Sequence, residues 1–515
     1  MKNSNHLIRL PAFLVLATVA LFAAACSSGA DDPVADAVPR PVDGEAEEGL
    51  ASTDSTEPDV LDLTAGPEPS TLAELEAVWA EHRAAVVDRL REGEYGVTDN
   101  VLTGPGDFVV DLDQCLAGWS GAEPATGTIE IVHVLSAADA GAYAMGAQAY
   151  FDHVNLQGGV GGRLIDYEVV DDELIPTKTI EAVDDRIDGR AIGITTFGTP
   201  TSQSVFDQLN RACIPQPFVG SAHPAWGDPR SHPWTLGLQL SYATETIHWG
   251  NWIKRNLTGE LPVKVAALTI DNDYGRAYLA AFGQWAASNS DVVSEVVVVT
   301  HDPSAADVTA EIAEIRAEVP DVFLAVTAGS ACGAAVDAGE AAGLNEITDA
   351  RFLPTACTDP QRFLIPNDRD GGGYLAVDGG VKAADDPLHE NDLFVEFING
   401  LLVDADIAPE QTALAGAGAG QFAWAYVEAL RIAADLDGGV NRANFLLALR
   451  SLELRHPMVV AGIAFATDGS DDGYPIEGAR MMRYSAGQQA WEKESLVVDL
   501  NRATPTCSWD GSDCS

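Results

Sequence analysis

Positive charge is scarce in this chain. Its 515 residues carry 29 Lys and Arg against 78 Asp and Glu, a formal net charge of −49. Such a surface repels phosphate backbones and anionic lipid head groups, which argues against a nucleic-acid partner. Long apolar runs are also missing after residue 25, so the body of the chain offers no membrane-spanning segment of ordinary length. Catalytic signatures are lacking as well. There is no G-x-S-x-G nucleophile elbow, no H-E-x-x-H helix, no Walker A loop and no dinucleotide fingerprint. No cysteine pair has zinc-ligand spacing and no histidine cluster accompanies the cysteines, so neither metal nor cofactor is expected. These absences disfavour a secreted hydrolase. The apolar content of 46% is that of a globular protein, and the length allows two or three domains.

What is present begins at the N-terminus. Lys2 and Arg9 precede an apolar run over residues 10–25 that ends in Ala23-Ala24-Ala25-Cys26. A basic start, a short apolar core and a small-residue exit read as a secretory signal. With a cysteine directly after the small residues, the segment resembles a bacterial lipoprotein signal, although such signals usually place Leu where Ala23 stands. Residues 1–25 are then a signal peptide, and Cys26 carries lipid on the outer face of the bacterial cell membrane. Residues 26–70 are rich in Pro, Gly, Ala and acids; from 27 to 70 twelve acids face Arg40 alone. That composition predicts a disordered acidic stalk. Residues 71–126 form an accessory helical segment, with Leu72, Leu75, Val78, Val86, Val87 and Leu90 at helical spacing. Thr71 is the candidate N-cap, and Glu74 is placed to complete a capping box.

Beyond Cys26 six cysteines remain, an even number that suggests disulfides in an exported protein. Six cysteines allow fifteen connectivities. The local pairs Cys332–Cys357 and Cys507–Cys514 are preferred, which leaves Cys115–Cys213.

From residue 128 the pattern alternates. Strands are predicted at 128–135, 164–170 and 191–195, with helices at 140–155, 176–187 and 201–212. The alternation restarts with the nearly all-apolar stretch 263–270, as a strand covered on both faces should be. Helices follow at 274–288, around Val308, Ile312 and Ile315, and at 331–343, with strands at 291–300, 321–327 and 351–354. Later helices are predicted near 392–401, 420–434 and 442–452, and short strands near 462–466 and 479–484. Two successive blocks of βαβ units predict an α/β fold of two Rossmann-like lobes with parallel sheets.

Several motifs have structural readings. Gly158-Gly159-Val160-Gly161-Gly162-Arg163 follows a helix and precedes a strand, the reverse of a phosphate-cradling loop, and predicts a tight turn. Asp468-Gly469-Ser470-Asp471-Asp472-Gly473 resembles a calcium loop, but Ala479 stands where the closing Glu belongs, so a polar hairpin turn is expected. Asp171-Asp172-Glu173 reads as solvated acids at a strand end. Ligands of open parallel sheets sit beyond the carboxyl ends of the strands. Small hydroxyl residues recur there: Leu135-Ser136-Ala137, residues 195–202, Gly220-Ser221-Ala222, Asn272-Asp273-Tyr274-Gly275 and Thr327-Ala328-Gly329. Each alone is an ordinary N-cap. Their recurrence in both blocks points to a small polar ligand held by neutral donors.

In order and spacing these segments resemble a type I periplasmic solute-binding protein of the branched-chain amino-acid (Leu/Ile/Val-binding) family. The resemblance rests on Gly146-Ala147 with the Gly-rich turn, Val169-Val170-Asp171-Asp172-Glu173 with Pro176, Ile214-Pro215, Asp273-Tyr274-Gly275, Pro320-Asp321-Val322 and Ala341-Ala342-Gly343-Leu344. It implies one lobe from residues 127–245 plus 374–455 and a second from 246–373 plus 456–500, joined by hinge crossovers. A tail at 501–515 carries Cys507 and Cys514. It places ligand contacts at Ser136, Thr199, Thr201, Gly220 and Ser221 of the first lobe, and at Tyr274, Ala328 and Thr358 of the second. Ala356 and Cys357 stand where amino-acid binders of the family place a carboxylate for the substrate ammonium, with Asp359 as the nearest substitute. An amino acid, an amide, a carboxylate or another small polar solute is therefore open. The implied function is that of a monomeric, lipid-anchored, non-enzymatic receptor that hands its solute to the membrane permease of an ABC importer. The alternative is a ligand-sensing lipoprotein that docks to a membrane signalling partner.

Overall fold

The computed structural model describes residues 69–116, 126–365 and 372–504, together with Ile8, Arg9 and Gly121. Cys26, the stalk, Cys507 and Cys514 lie outside the described residues. No helix among the described residues is long and apolar enough to cross a membrane.

The chain enters through helix α1 (Leu72–Glu92). Thr71 caps it by accepting the Glu74 N–H at 3.2 Å. The return bond of the predicted capping box goes elsewhere: Glu74 accepts from the Ser70 N–H and hydroxyl, both at 2.8 Å. Strands β1 (Gly96–Thr98), β2 (Val101–Gly104) and β3 (Phe108–Asp111) then form an antiparallel sheet. The accessory segment is thus a helix plus a small sheet, not helical throughout. Its hairpins turn at Asp99-Asn100 and Gly106-Asp107, four residues with positive φ. The first is a two-residue loop whose paired positive φ values match the strand twist, the second a three-residue loop from Pro105 to Asp107, and Asn, Asp and Gly bear positive φ at least cost.

In the first lobe, β4 (Ile129–Leu135) pairs in parallel with β5 (Ile165–Asp171) and β6 (Gly193–Thr196). Next to β6 lie β7 (Gln216–Val219) and β8 (Thr235–Gly237), joined through the Phe197–Gly220 bridge. The second lobe repeats that order. There β9 (Val263–Ile270) is flanked by β10 (Val293–His301) and β11 (Val322–Val326), followed by β12 (Ala350–Phe352) and β13 (Leu375–Val377). Two antiparallel strands, β14 (Met481–Ser485) and β15 (Ala490–Lys493), extend it. Ile8–Arg9 pairs antiparallel with Val297 and Val298 at the opposite edge. Central strands are buried on both faces, and all of Val322–Val326 is inaccessible. The edge strand β5 alternates, with Ile165 and Tyr167 buried and Asp166 and Glu168 exposed.

Helices cover both faces. In the first lobe α2 (Ala137–Leu156) packs against a helical run over residues 412–435. A Cβ on Gly146 would stand 1.9 Å from the Ala415 carbonyl oxygen, and one on Gly418 equally close to that of Tyr143. Only glycine permits this approach. α3 (Pro176–Asp184) and α4 (Thr199–Ala212) complete the lobe. A helix not foreseen, α5 (Tyr242–Asn256), packs on the second sheet: Trp249 lies 5.6 Å from Tyr278 and 5.7 Å from Phe352, centroid to centroid. The second lobe therefore starts at about the first turn of α5. α6 (Asp273–Ser288), α7 (Thr309–Ala317) and α8 (Ser330–Ala341) follow. Strand β13 pairs within the second sheet, so the return crossover lies after Val377 rather than before residue 374. α9 (Leu393–Asp404) and α10 (Trp424–Asp435) return to the first lobe, where Tyr426 meets Phe151 and Phe218.

The Cys115–Cys213 disulfide ties the accessory segment to the first lobe, and Cys332–Cys357 lies within the second. α1 packs on the same lobe through Trp79, 5.2 Å from Trp424, and through Arg83, which pairs with the buried Glu428.

Candidate functional site

In both sheets the order reverses beside the first strand, and the loops after the strands meet between the lobes. In the first lobe, β6 ends at Thr196 and the chain turns at Gly198, φ +90°, into α4. Thr199 Oγ lies 2.7 Å from Ser221 Oγ and 3.1 Å from the Tyr242 hydroxyl. Gly220 sits in the bridge to Phe197; a Cβ there would meet the Phe197 ring at 2.4 Å. In the second lobe Asn272 caps α6 through the Gly275 N–H. The Tyr274 hydroxyl donates to the Thr327 carbonyl at 3.2 Å. Tyr242 joins the halves: its ring stacks on Tyr278 at 4.2 Å and meets Tyr274 edge-on at 5.0 Å.

Outside this tyrosine cluster opens a cleft of about 570 Å³. Pro176, Pro200, Gln203, Ser204 and His223 line it from the first lobe, and Asp273, Arg276 and Ala277 from the second. Its wall follows the predicted loops by one or two residues. Pro200 follows Thr199, His223 comes two after Ser221, and Asp273 precedes Tyr274. Thr199, Ser221 and Tyr274 are brought together, but as a buried layer behind the wall.

The other predicted residues serve their own loops. Ser136 caps α2, accepting the Asp139 N–H at 3.3 Å and donating to the Asp139 carboxylate at 2.8 Å. Thr201 donates to the carbonyls of Phe197 and Gly198. Ala328 packs against the core. Thr358 donates to the Thr355 carbonyl at 2.8 Å, and its own carbonyl accepts from the Trp491 indole. None of the eight lines the open cleft.

The wall carries one arginine held between two carboxylates. Arg276 holds Asp271 at 3.1 Å and Asp273 at 2.6 Å. Burial pushes His223 down to about 4, so its ring is neutral at neutral pH. Its Nδ1 accepts the Ala225 N–H at 3.1 Å, which places the proton on Nε2; Gln203 Nε2 lies 3.2 Å away, so the two side chains bond only when the Gln203 amide is turned to present its oxygen. The wall thus presents neutral donors and one arginine shared by two carboxylates, a net charge of −1 for the three groups.

A carboxylate does reach the Ala356 turn, but from the distant helix α5. Glu245 accepts the Thr355 N–H and hydroxyl, each at 3.0 Å, and the Tyr278 hydroxyl at 2.8 Å. Burial raises its carboxyl to about 7 against these three bonds. Asp359 caps the Arg362 N–H. Sequence reasoning missed Tyr242 and Glu245 because it missed α5. The spacing of Tyr242, Trp249, Trp252 and Ile253 behind Ser241 carried the signal.

The other motifs have structural roles. Asp171 accepts the N–H groups of Ala137 and Glu173, whereas Asp172 is buried rather than solvated and accepts the Leu174 N–H and the Thr179 hydroxyl. Asp468 and Asp472 bridge across a tight hairpin. Among the described residues no group of three or more His, Cys, Asp or Glu is placed to hold a metal.

The sequence profile of the periplasmic binding protein family matches residues 135–489, more than half of the chain. The chain belongs to that family, whose members bind ligands outside the cytoplasm and are not enzymes. No curated protein sequence matches it. Among solved structures, it is similar to a branched-chain amino-acid ABC transporter protein from Thermus thermophilus with bound valine. That match has a TM-score of 0.63 and 14% identity, and covers 72% of this chain and 97% of that one. A fatty acid ABC transporter substrate-binding protein from Thermomonospora curvata gives 0.60 at 14% identity, over 77% and 96%. A solute-binding protein of R. palustris in complex with 4-hydroxybenzoate gives 0.59 at 15%, over 72% and 97%. These likenesses establish the type I two-lobed fold.

Proposed function

We propose that this member of the periplasmic binding protein family is the lipid-anchored, monomeric receptor of an ABC importer, tethered through Cys26. It captures a small polar solute between its lobes and presents the closed form to the permease. The observation that carries this reading is the cleft: one lobe contributes Gln203, Ser204 and His223 to its wall, and the other Asp273 and Arg276. A solute that bonds to both walls favours the closed arrangement by its differential affinity for it.

The wall chemistry selects the solute class. Arg276 is already neutralised by two carboxylates, so an anion gains little from it. A neutral or zwitterionic solute with both donors and acceptors, such as an amino acid or amide, meets His223 Nε2–H, Gln203, Asp273 and Arg276. Valine, fatty acid and 4-hydroxybenzoate in the names of similar structures show that the shared fold does not dictate the ligand.

A thermal-shift screen of the purified chain against amino acids and their amides tests the reading. A true ligand at about a hundred times its Kd stabilises by about 2.7 kcal/mol. Asp273→Asn and His223→Ala should abolish the shift. If no small polar solute stabilises the protein, the transport reading fails.

A further inference from the structure

A second cavity, of about 200 Å³, lies where α1 rests on the first lobe, away from the cleft. Its wall is a continuous run of rings. Trp79 of α1 lies 5.5 Å from Phe394 of α9, Phe394 5.7 Å from Phe397, Phe397 5.0 Å from His153 of α2, and His153 6.3 Å from Tyr150, all between centroids. Glu76 and Arg431 are its charged lining residues, beside Leu72, Val154 and Gln157. α1 precedes the residues that match the family, so the family fold alone does not build this cavity.

The charges around it cancel. Glu428, buried beneath, takes Arg83 on one oxygen and Arg431 on the other, the latter at 2.7 Å. With the exposed Glu76, these four side chains sum to zero. His153 adds no charge, because burial holds its ring below the usual histidine range. A ligand with net charge of either sign would unbalance the group. A zwitterion would not: its cationic end is drawn to the rings and Glu76, and its carboxylate to Arg431, which shares the single Glu428 carboxylate with Arg83 and so keeps uncompensated positive charge. A dry cavity of about 150 Å³ admits benzene, so this one takes a body of about eight heavy atoms.

We propose that this aromatic pocket is a second small-molecule site, independent of the cleft, for a compact zwitterion with a methylated-ammonium head and a carboxylate tail. Calorimetric titration of the full chain with glycine betaine, choline and pivalate tests it. Betaine should bind, with choline and pivalate at least about tenfold weaker, since each lacks one charged end. Glu76→Gln, a change at an exposed position, should weaken betaine about tenfold, and Phe397→Ala should abolish its binding. Asp273→Asn in the cleft should leave it unaltered. The proposal is overturned if betaine fails to bind at about 10 mM. It is equally overturned if betaine binds Glu76→Gln and Phe397→Ala as it binds the parent, if Asp273→Asn removes binding, or if choline or pivalate matches betaine.

Discussion

The two lobes share a strand order but not an interior. At the strand tips of the first lobe, hydroxyls and an amide are buried and bonded to one another. Thr195 donates to the Pro217 carbonyl, Thr196 to Ser202, Gln216 to Thr196, and Thr199 meets Ser221. At the tips of the second lobe stand tyrosines, one buried carboxylate and a disulfide. Buried polar groups with complete bonding hold a fixed geometry. The first lobe thus supplies a rigid polar floor, and the second an aromatic face that reaches across through Tyr242. Topology repeated by the chain is compatible with opposite chemistries, because strand order is a property of backbone pairing and polarity one of side chains.

The largest effect that would sharpen this contrast comes from the disulfides. Cys115–Cys213 spans 98 residues and Cys332–Cys357 spans 25. Loop-closure entropy makes the first worth about 4.7 kcal/mol and the second about 3.5 kcal/mol. Calorimetry of the double serine variants should show the first lobe melting earlier when Cys115 and Cys213 are replaced, and the second when Cys332 and Cys357 are. Equal shifts of one shared transition would mean that the lobes do not unfold separately.

Next in size is the buried carboxylate. The folded state raises Glu245 from 4.5 to about 7. Its protonated form is therefore favoured on folding, and its stabilising contribution, complete below about pH 4.5, is lost as pH rises through about 7. The shift corresponds to about 3 kcal/mol. Glu245→Gln cannot ionise, so its stability relative to the parent should increase between about pH 5 and about pH 8. Asp472, likewise raised to about 7, and the neutral rings of His133, His223, His248 and His456 titrate alike in both proteins and cancel. A pH-independent difference in urea midpoints would refute the assignment.

Tyr242→Phe should give the smallest change. It removes one hydroxyl from Thr199 at a cost of about 1 kcal/mol and keeps the ring stack. Because it loosens the link between lobes, solute affinity in the cleft should change more than the melting temperature does. An unchanged affinity would mean that Tyr242 is only packing.

Much of the architecture was legible locally. The apolar run at β9 has the predicted bounds, Val263–Ile270, since its apolar residues are interrupted only by Lys264 and Thr269. The helix start at Thr71 coincides with its side-chain cap, while the caps Ser136 and Asn272 start their helices at Ala137 and Asp273, before the predicted positions 140 and 274. Hairpins β1 to β3 were missed because their strands are short and their signal lies in turn conformations. The site was half legible. Hydroxyls at strand ends lie in loops that border the cleft, yet the same residue types cap helices or bond back to their own loops, and only packing shows that Ser136 does the first, Thr201 the second, and Thr199 turns toward Tyr242.

Hydrophobic period and small-residue turns, properties of a few neighbouring positions, determined by themselves that this chain alternates strand and helix twice. Tertiary structure alone decided which carboxylate lies under the Ala356 turn, which residues wall the cleft, and that a helix outside the family region encloses a ring-lined pocket. Those outcomes depend on groups far apart in the chain: Glu245 and Thr355 are 110 residues apart, and Arg83 and Glu428 are 345. Local pattern does not encode such contacts, because they form only when separate elements are packed against one another.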